Sequence, residues 1–155
     1  MVQAHHYQAH LIWAGAARGA TVSYESYSRE YLVEIEGKAA LKGSADPNFR
    51  GDPTLHNPEE LLVAALSACH MLSYLALCAR ARIAVTGYDD YATGTMSQVD
   101  GKTRFTEVVL RPVVRLGSGS DVEKAKSLHE RAHAICFIAN SVNFEVRHEA
   151  TVTLE

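Results

Sequence analysis

The most constraining feature of this sequence is a long uncharged stretch near its middle, since Leu61 to Ala79 contains no Asp, Glu, Lys or Arg. As a helix, this stretch is apolar around most of its circumference, and its length is close to that of a membrane-spanning helix. Interruption by Ser67, His70 and Ser73 favours a buried helix of a soluble protein over a membrane span. Such a helix must lie at the centre of the molecule or be covered by a second subunit, and for a small domain we expect the second.

A clear start signal precedes this stretch. Asn57 is a good helix cap, Pro58 suits the first helical position, and Glu59 and Glu60 complement the positive end of the helix dipole. The pattern predicts one helix from about residue 57 to Arg82. Residues 42–57, rich in Gly, Asp, Pro and Asn, are predicted to form a loop long enough to act as a lid.

The rest of the chain predicts short strands and one further helix. Strands are expected over residues 11–13, 21–24, 31–35, 83–85, 91–99, 105–116 and 144–154, with a hairpin turn at Asp100-Gly101. A capping box from Ser120 to Glu123 begins the second helix, which runs to Ile135. This order predicts a single α+β domain over residues 1–155.

Charge and cysteine content exclude several functional classes. Fifteen Lys and Arg against eighteen Asp and Glu give a net charge of -3, so no nucleic-acid partner is expected. The N-terminus lacks the pattern of a signal peptide, and three cysteines are too few for a disulfide-rich secreted scaffold. We therefore expect a cytoplasmic protein with no membrane partner, in which free thiols are candidates for catalysis.

The three cysteines differ in their expected positions. Cys69 and Cys78 are two and a half helical turns apart, so they face opposite sides of the first helix and cannot bridge. A bond between Cys69 and Cys136, at the end of the second helix, requires that the two helices pack side by side. Free cysteine is also a common core residue, and we assign Cys78 to the core.

A reactive cysteine needs an electropositive neighbour, because burial alone disfavours the thiolate. Arg18 lies in a glycine-rich turn and Arg50 lies in the long loop. Glu59 is ten residues before Cys69, on roughly the same helix face and about 15 Å away. It is therefore placed to hold an arginine that reaches towards the thiol, although both arginines are equally compatible with a solvated surface position.

The segment from His129 to His133 matches H-E-x-x-H, the zinc-protease pattern with Glu130 as the base. Zinc proteases use a third protein ligand, and the apolar stripe of the second helix places both histidines beside its inward face. We expect these histidines to serve packing or solvation, and no metal or other cofactor to be bound. A zinc hydrolase remains the least favoured alternative.

The chain resembles the OsmC/Ohr family of osmotically induced and organic-hydroperoxide-resistance proteins. The resemblance rests on Asn57-Pro58-Glu59-Glu60-Leu61, on a cysteine ten residues after Glu59, and on Cys136, sixty-seven residues after Cys69. It also covers the order of strands and helices over nearly the whole chain. It implies a swapped α+β homodimer with antiparallel sheets around long buried central helices, and thiol-dependent reduction of organic hydroperoxides without metal or haem.

The resemblance also implies residue roles. Cys69 would attack the peroxide and become a sulfenic acid, Cys136 would condense with it to a disulfide, and an external thiol or dithiol would reduce that disulfide. Arg50 or Arg18 would activate the thiol, with Glu59 orienting the arginine. Phe49-Arg50-Gly51 resembles the osmotically induced branch and favours Arg50.

One departure from the family keeps a second function open. His70 follows Cys69 where the best-known members have Phe, which makes the floor of the expected site more polar. A non-catalytic protein that binds a small molecule on the same fold is therefore the principal alternative.

Overall fold

The computed structural model describes residues 3–155 and confirms the α+β class, with nine strands and two α-helices among those residues. The chain divides into two compact units, Met1–Leu61 and Leu62–Glu155, which are described in turn. The single domain expected over residues 1–155 stays a prediction.

The first unit contains a three-stranded antiparallel sheet in the order β1-β2-β3. Its strands are β1 (His10–Ile12), β2 (Tyr31–Glu34) and β3 (Leu41–Gly43). The strand predicted over residues 21–24 is wrong, because this segment forms turns. There the Ser26 hydroxyl accepts from the Ser23 N–H and donates to the Ser23 carbonyl, so local side-chain bonds replace a strand ladder.

The first helix, α1, spans Pro58–Arg80. Its start is confirmed, because the Asn57 side chain accepts from the Glu60 N–H at 2.8 Å and the Glu60 carboxylate accepts from the Asn57 N–H at 3.3 Å. The helix ends two residues earlier than expected, since Arg82 adopts a left-handed conformation with φ of 59°.

The apolar circumference of α1 is covered on only part of its surface. Of its most apolar 18-residue window, 28% is buried, and by length and composition the helix is able to cross a membrane. One exposed stripe follows four-residue spacing through Ala64, Ala68, Leu72 and Ala76. One chain therefore leaves part of this helix uncovered, and its expected cover by a second subunit stays a prediction.

The second unit contains two three-stranded sheets. One has the order β4-β7-β9 and the other β5-β6-β8. The strands are β4 (Val85–Asp90), β5 (Thr93–Val99), β6 (Lys102–Leu110), β7 (Pro112–Leu116), β8 (Glu145–His148) and β9 (Thr151–Leu154). The β6–β8 and β7–β9 pairs are parallel and the others antiparallel, so these sheets are mixed.

Two segments expected to be single strands each divide between these sheets. The break between β6 and β7 falls at Arg111-Pro112, where the Arg111 N–H donates to the Asp90 carboxylate at 2.6 Å and proline has no N–H to offer. The break between β8 and β9 lies beside it, since the Glu149 N–H donates to the Leu110 carbonyl. Both strand pairs therefore change sheet at the same corner.

The second helix, α2, spans Val122–Ile135 and packs against the β4-β7-β9 sheet and α1. Its cap is Asp121, which accepts from the Lys124 N–H at 2.9 Å, rather than Ser120 as predicted. Its apolar side joins α1 and the sheet in one core cluster, which includes Tyr74, Leu77, Cys78, Val114, Leu116, Ala125, Leu128, Ala132 and Val152. A second cluster packs around Leu66, Val108, Leu110 and Val146.

Candidate functional site

Two of the three cysteines lie together in the second unit. Cys69 lies near the middle of α1 and is half-buried, and Cys136 caps the C-terminus of α2 and is 1% exposed. The structure holds both as free thiols, and Cys69 lies close enough to Cys136 to raise the pKa of its thiol. The side-by-side arrangement of helices that a Cys69–Cys136 bond requires is therefore present.

The environment of Cys136 keeps it a thiol. Burial, followed by the neighbouring Cys69 thiol, raises the pKa of the Cys136 thiol to about 11. The Ala139 N–H donates to its sulfur at 3.5 Å and acts in the opposite direction, but more weakly. Cys136 is thus protonated at neutral pH, and it is the less accessible of the two cysteines.

Cys78 lies in the core, as the sequence analysis predicts. It is 1% exposed and belongs to the cluster formed by α1, α2 and the β4-β7-β9 sheet. Burial raises the pKa of its thiol more than the neighbouring Tyr74 hydroxyl lowers it. This thiol is therefore inert at neutral pH.

The two candidate arginines and Glu59 lie in the first unit. Arg18 pairs with Glu30 at 2.7 Å rather than with Glu59. Among the described residues, Arg50 forms no ion pair, and Oε2 of Glu59 is buried without a hydrogen-bond partner. Arg18 and Arg50 both line one cavity of about 290 Å³ within this unit.

A second cavity in this unit, of about 580 Å³, has a mainly apolar lining. Leu11, Ile12 and Trp13 form one side, and Tyr27 and Tyr31 contribute aromatic surface. The Trp13 indole donates to the Ser28 carbonyl at 2.7 Å, which fixes the ring. Its apolar and aromatic lining suits an organic molecule.

Four histidines gather inside the second unit, and their association was not expected from the sequence. Nε2 of His70 and Nδ1 of His129 share a hydrogen bond of 3.0 Å, and both residues are 1% exposed. His148 lies 5.4 Å from the His70 ring and 5.8 Å from the His129 ring, between centroids. His133 lies 6.0 Å from His148. We call these four residues the histidine cluster.

Burial keeps three members of the histidine cluster neutral. It lowers the pKa of His70 to about 4 and of His129 to about 3, and the neighbouring histidines act in the same direction. The pKa of His148 is also lowered, mainly by burial, although Glu130 opposes the shift. At neutral pH, the imidazoles of His70, His129 and His148 therefore each have one N–H donor and one acceptor nitrogen.

The H-E-x-x-H segment does not form a zinc-protease site. Nδ1 of His129 is taken by His70, its ring stacks on Tyr74 at 3.8 Å, and Glu130 pairs with His148 at 3.3 Å. Within residues 3–155, no three His, Cys, Asp or Glu side chains are grouped so that they can hold a metal ion. His129 is also buried, and not beside the inward face of α2 as the sequence analysis expects.

Three sequence positions could have revealed the cluster. His129 directly follows Leu128 on the apolar stripe of α2, and His148 occupies an inward-facing register position of the final strands. His70 lies in a helix otherwise rich in apolar residues. Each position is polar where burial is expected, which indicates a buried hydrogen-bond partner.

Comparison with known proteins gives a family match over most of the second unit. Residues 51–151 match the profile of the OsmC-like protein family. An uncharacterised protein of Bacillus subtilis, YmaD, is 27% identical over 103 residues, which covers 63% of this chain and 69% of that protein.

Solved structures of this fold match nearly the whole chain. An OsmC-like protein of unknown function from Vibrio cholerae is 36% identical, with a TM-score of 0.88 over 96% of this chain and 100% of that one. An organic hydroperoxide resistance protein from Elizabethkingia anophelis is 21% identical, with a TM-score of 0.68 over 99% and 100%. The second likeness concerns the fold alone.

Proposed function

The chain belongs to the OsmC-like protein family, and on this premise we propose that it is a thiol-dependent peroxidase that reduces organic hydroperoxides. The observation that carries the proposal is the pair of free thiols at Cys69 and Cys136. A half-buried thiol beside a buried one is the arrangement that a peroxidatic and a resolving cysteine require. The fold is shared with proteins named for organic hydroperoxide resistance.

The proposed reaction has three balanced steps. The Cys69 thiolate attacks the distal oxygen of the hydroperoxide and the O–O bond breaks, so Cys69 becomes a sulfenic acid. The leaving alkoxide takes up the proton that the thiol released and departs as the alcohol. The Cys136 thiol then condenses with the sulfenic acid, forming a disulfide and releasing water. Two equivalents of an external thiol, or one dithiol, reduce the disulfide by exchange and are themselves oxidised.

The assignment of roles follows from the difference between the two thiols. Because the pKa of Cys136 is raised to about 11, Cys136 is a poor nucleophile at neutral pH. Cys69 is more accessible and is therefore proposed as the attacking residue. We propose Arg50 as the activating arginine, since the Arg18 guanidinium is already engaged by Glu30, and Glu59 as the carboxylate that orients it.

Assembly and location are part of the same proposal. The exposed apolar stripe of α1 supports a homodimer in which this helix is covered by a second copy. Free thiols support a reducing, cytoplasmic location, where small thiols or dithiols are available as the reductant. We propose no nucleic-acid or membrane partner and no cofactor.

The proposal is tested by intact mass after one equivalent of cumene hydroperoxide. The native protein should lose about 2 Da and yield a Cys69–Cys136 disulfide on peptide mapping, and C136S should become about 16 Da heavier and react with dimedone. C69S should remain unchanged, and C78A, which alters only the core thiol, should behave as the native protein. Absence of the Cys69–Cys136 disulfide in the native protein would contradict the proposal.

Binding of a small organic molecule without turnover is the second candidate, favoured by the 580 Å³ apolar cavity in the first unit. It predicts no consumption of organic hydroperoxides with glutathione, dithiothreitol or lipoamide as reductant. It also predicts that Trp13 fluorescence responds to an aromatic or alkyl ligand in C69S as it does in the native protein.

A further inference from the structure

The helices that carry the two thiols are joined by a hydrogen bond between buried imidazoles. His70 on α1 and His129 on α2 approach to 3.0 Å, their ring planes are 5° apart, and both residues are 1% exposed. One ring donates its N–H and the other accepts through its lone pair. In an apolar core such a bond is strong and directional.

His129 also contacts the next turn of α1. Its ring stacks on Tyr74 with 3.8 Å between centroids and 12° between planes. Because His70 and Tyr74 are four residues apart, His129 is held against two successive turns of α1. This double contact sets both the position of α2 along α1 and its rotation.

The thiols lie directly beside this connection. Cys69 precedes His70 in α1, and Cys136 follows His129 by seven residues, which is two helical turns or about 10 Å. The Cys136 N–H donates to the His133 carbonyl, so the last turn of α2 carries the resolving thiol rigidly. A shift of α2 along α1 would therefore move Cys136 away from Cys69.

The pair is costly for the core. Because each neutral imidazole has two nitrogens, the hydrogen bond leaves Nδ1 of His70 and Nε2 of His129 buried without partners among the described residues. Two leucines at these positions would pack without this cost but would tolerate several offsets between the helices. The polar pair trades stability for one defined register.

We propose that His70 and His129 are positioning residues, which hold α1 and α2 in the register at which the Cys69 and Cys136 sulfurs can bond. The inference rests on the proposed roles of the two cysteines.

The test is the equilibrium between the thiol pair and glutathione. One oxidised glutathione takes two electrons from Cys69 and Cys136, which become a disulfide, and is reduced to two glutathione thiols. At pH 6.5, the disulfide fraction in glutathione buffers is read by acid quench, alkylation in denaturant and intact mass. This equilibrium needs no peroxide.

Three variants separate the hydrogen bond from simple packing. H70L removes the bond, H70Q keeps a polar group near the position of Nε2, and H70L/H129L replaces the pair with an apolar contact that leaves no polar atom unsatisfied. H70L should destabilise the disulfide about tenfold, equivalent to about 30 mV. H70Q should stay within about twofold of the native protein, and H70L/H129L should match H70L despite a stable fold.

Two results would overturn the proposal. One is an equilibrium constant for disulfide formation in folded H70L that equals that of the native protein. Should H70L unfold, the same result in H70L/H129L would overturn the proposal. The other is a loss in H70Q as large as that in H70L, because the hydrogen bond would then be irrelevant. Suppose that the native protein forms the disulfide with glutathione and that the variants shift this equilibrium as expected, but that no hydroperoxide is consumed. This result would refute the peroxidase proposal alone. A native protein that forms no such disulfide would refute both.

Discussion

The buried imidazoles of His70 and His129 make the stability of this protein sensitive to acid. The pKa of His70 is about 4 and that of His129 about 3 in the folded chain, against about 6.5 for histidine in an unfolded one. Between these values the unfolded state binds more protons than the native state. Stability is therefore full above about pH 6.5 and falls as the pH decreases from there towards the folded pKa values.

This difference in pKa predicts a measurable loss of stability at acid pH. Between pH 7 and pH 5 the free energy of unfolding should fall by about 2 kcal/mol for each of the two histidines. Urea unfolding at fixed ionic strength measures it, with H70L/H129L as the control that lacks both groups. A decrease in that variant as steep as in the native protein would assign the acid sensitivity to other residues.

Arg50 combines a candidate catalytic role with an unfavourable backbone conformation. Its φ of 65° places it in the left-handed region, which costs a side-chain-bearing residue about 1 kcal/mol. Glycine has no such cost but loses about as much through its more flexible unfolded chain. The substitution R50G should therefore test the function of Arg50 with little change in stability.

We expect R50G to lower kcat/KM for cumene hydroperoxide at least tenfold, roughly the loss of one charge-assisted hydrogen bond, while stability changes by less than about 1 kcal/mol. R18Q breaks an exposed ion pair with Glu30 worth at most about 1 kcal/mol, and should lose less activity. Stopped-flow peroxide consumption and thermal melting measure the two quantities. A larger activity loss in R18Q would assign the activating role to Arg18.

Single elements were predictable where the signal is local. The start of α1 follows from Asn57 and Glu60, whose reciprocal hydrogen bonds involve neighbouring residues. Where a local alternative competes, the prediction fails. Residues 21–24 form turns because Ser23 and Ser26 bond to each other, and α2 is capped by Asp121 because Ser120 instead accepts from the distant Ala84 N–H.

Features that depend on distant residues were not predictable from one sequence. The division of the last strands requires that Glu149 meet Leu110, thirty-nine residues earlier in the chain. The histidine pair joins His70 to a residue fifty-nine positions away, and no spacing rule connects them. The H-E-x-x-H pattern drew attention to His129 for a different chemistry. The cysteine pair was anticipated only through the family resemblance.

At the scale of the whole molecule, one chain leaves the uncharged helix α1 only partly covered. Burying an apolar side chain of this kind contributes about 1.5–3 kcal/mol, yet Leu72 is 63% exposed at the centre of the stripe formed with Ala64, Ala68 and Ala76. Small residues on both sides of Leu72 allow close approach of another helix. We propose a second copy of α1 as the partner of this stripe, because a two-fold interface pairs a patch with itself.

The homodimer is tested by placing a charge on the stripe. L72E should dissociate the dimer, since burial of an unpaired carboxylate costs several kcal/mol, and light scattering after size exclusion should give about half the native mass. L154E makes the same substitution at a leucine that is 51% exposed at the end of β9, and should leave the mass unchanged. A native protein already at the mass of one chain, 16.9 kDa, or a dimeric L72E, would show that the stripe is not the dimer contact.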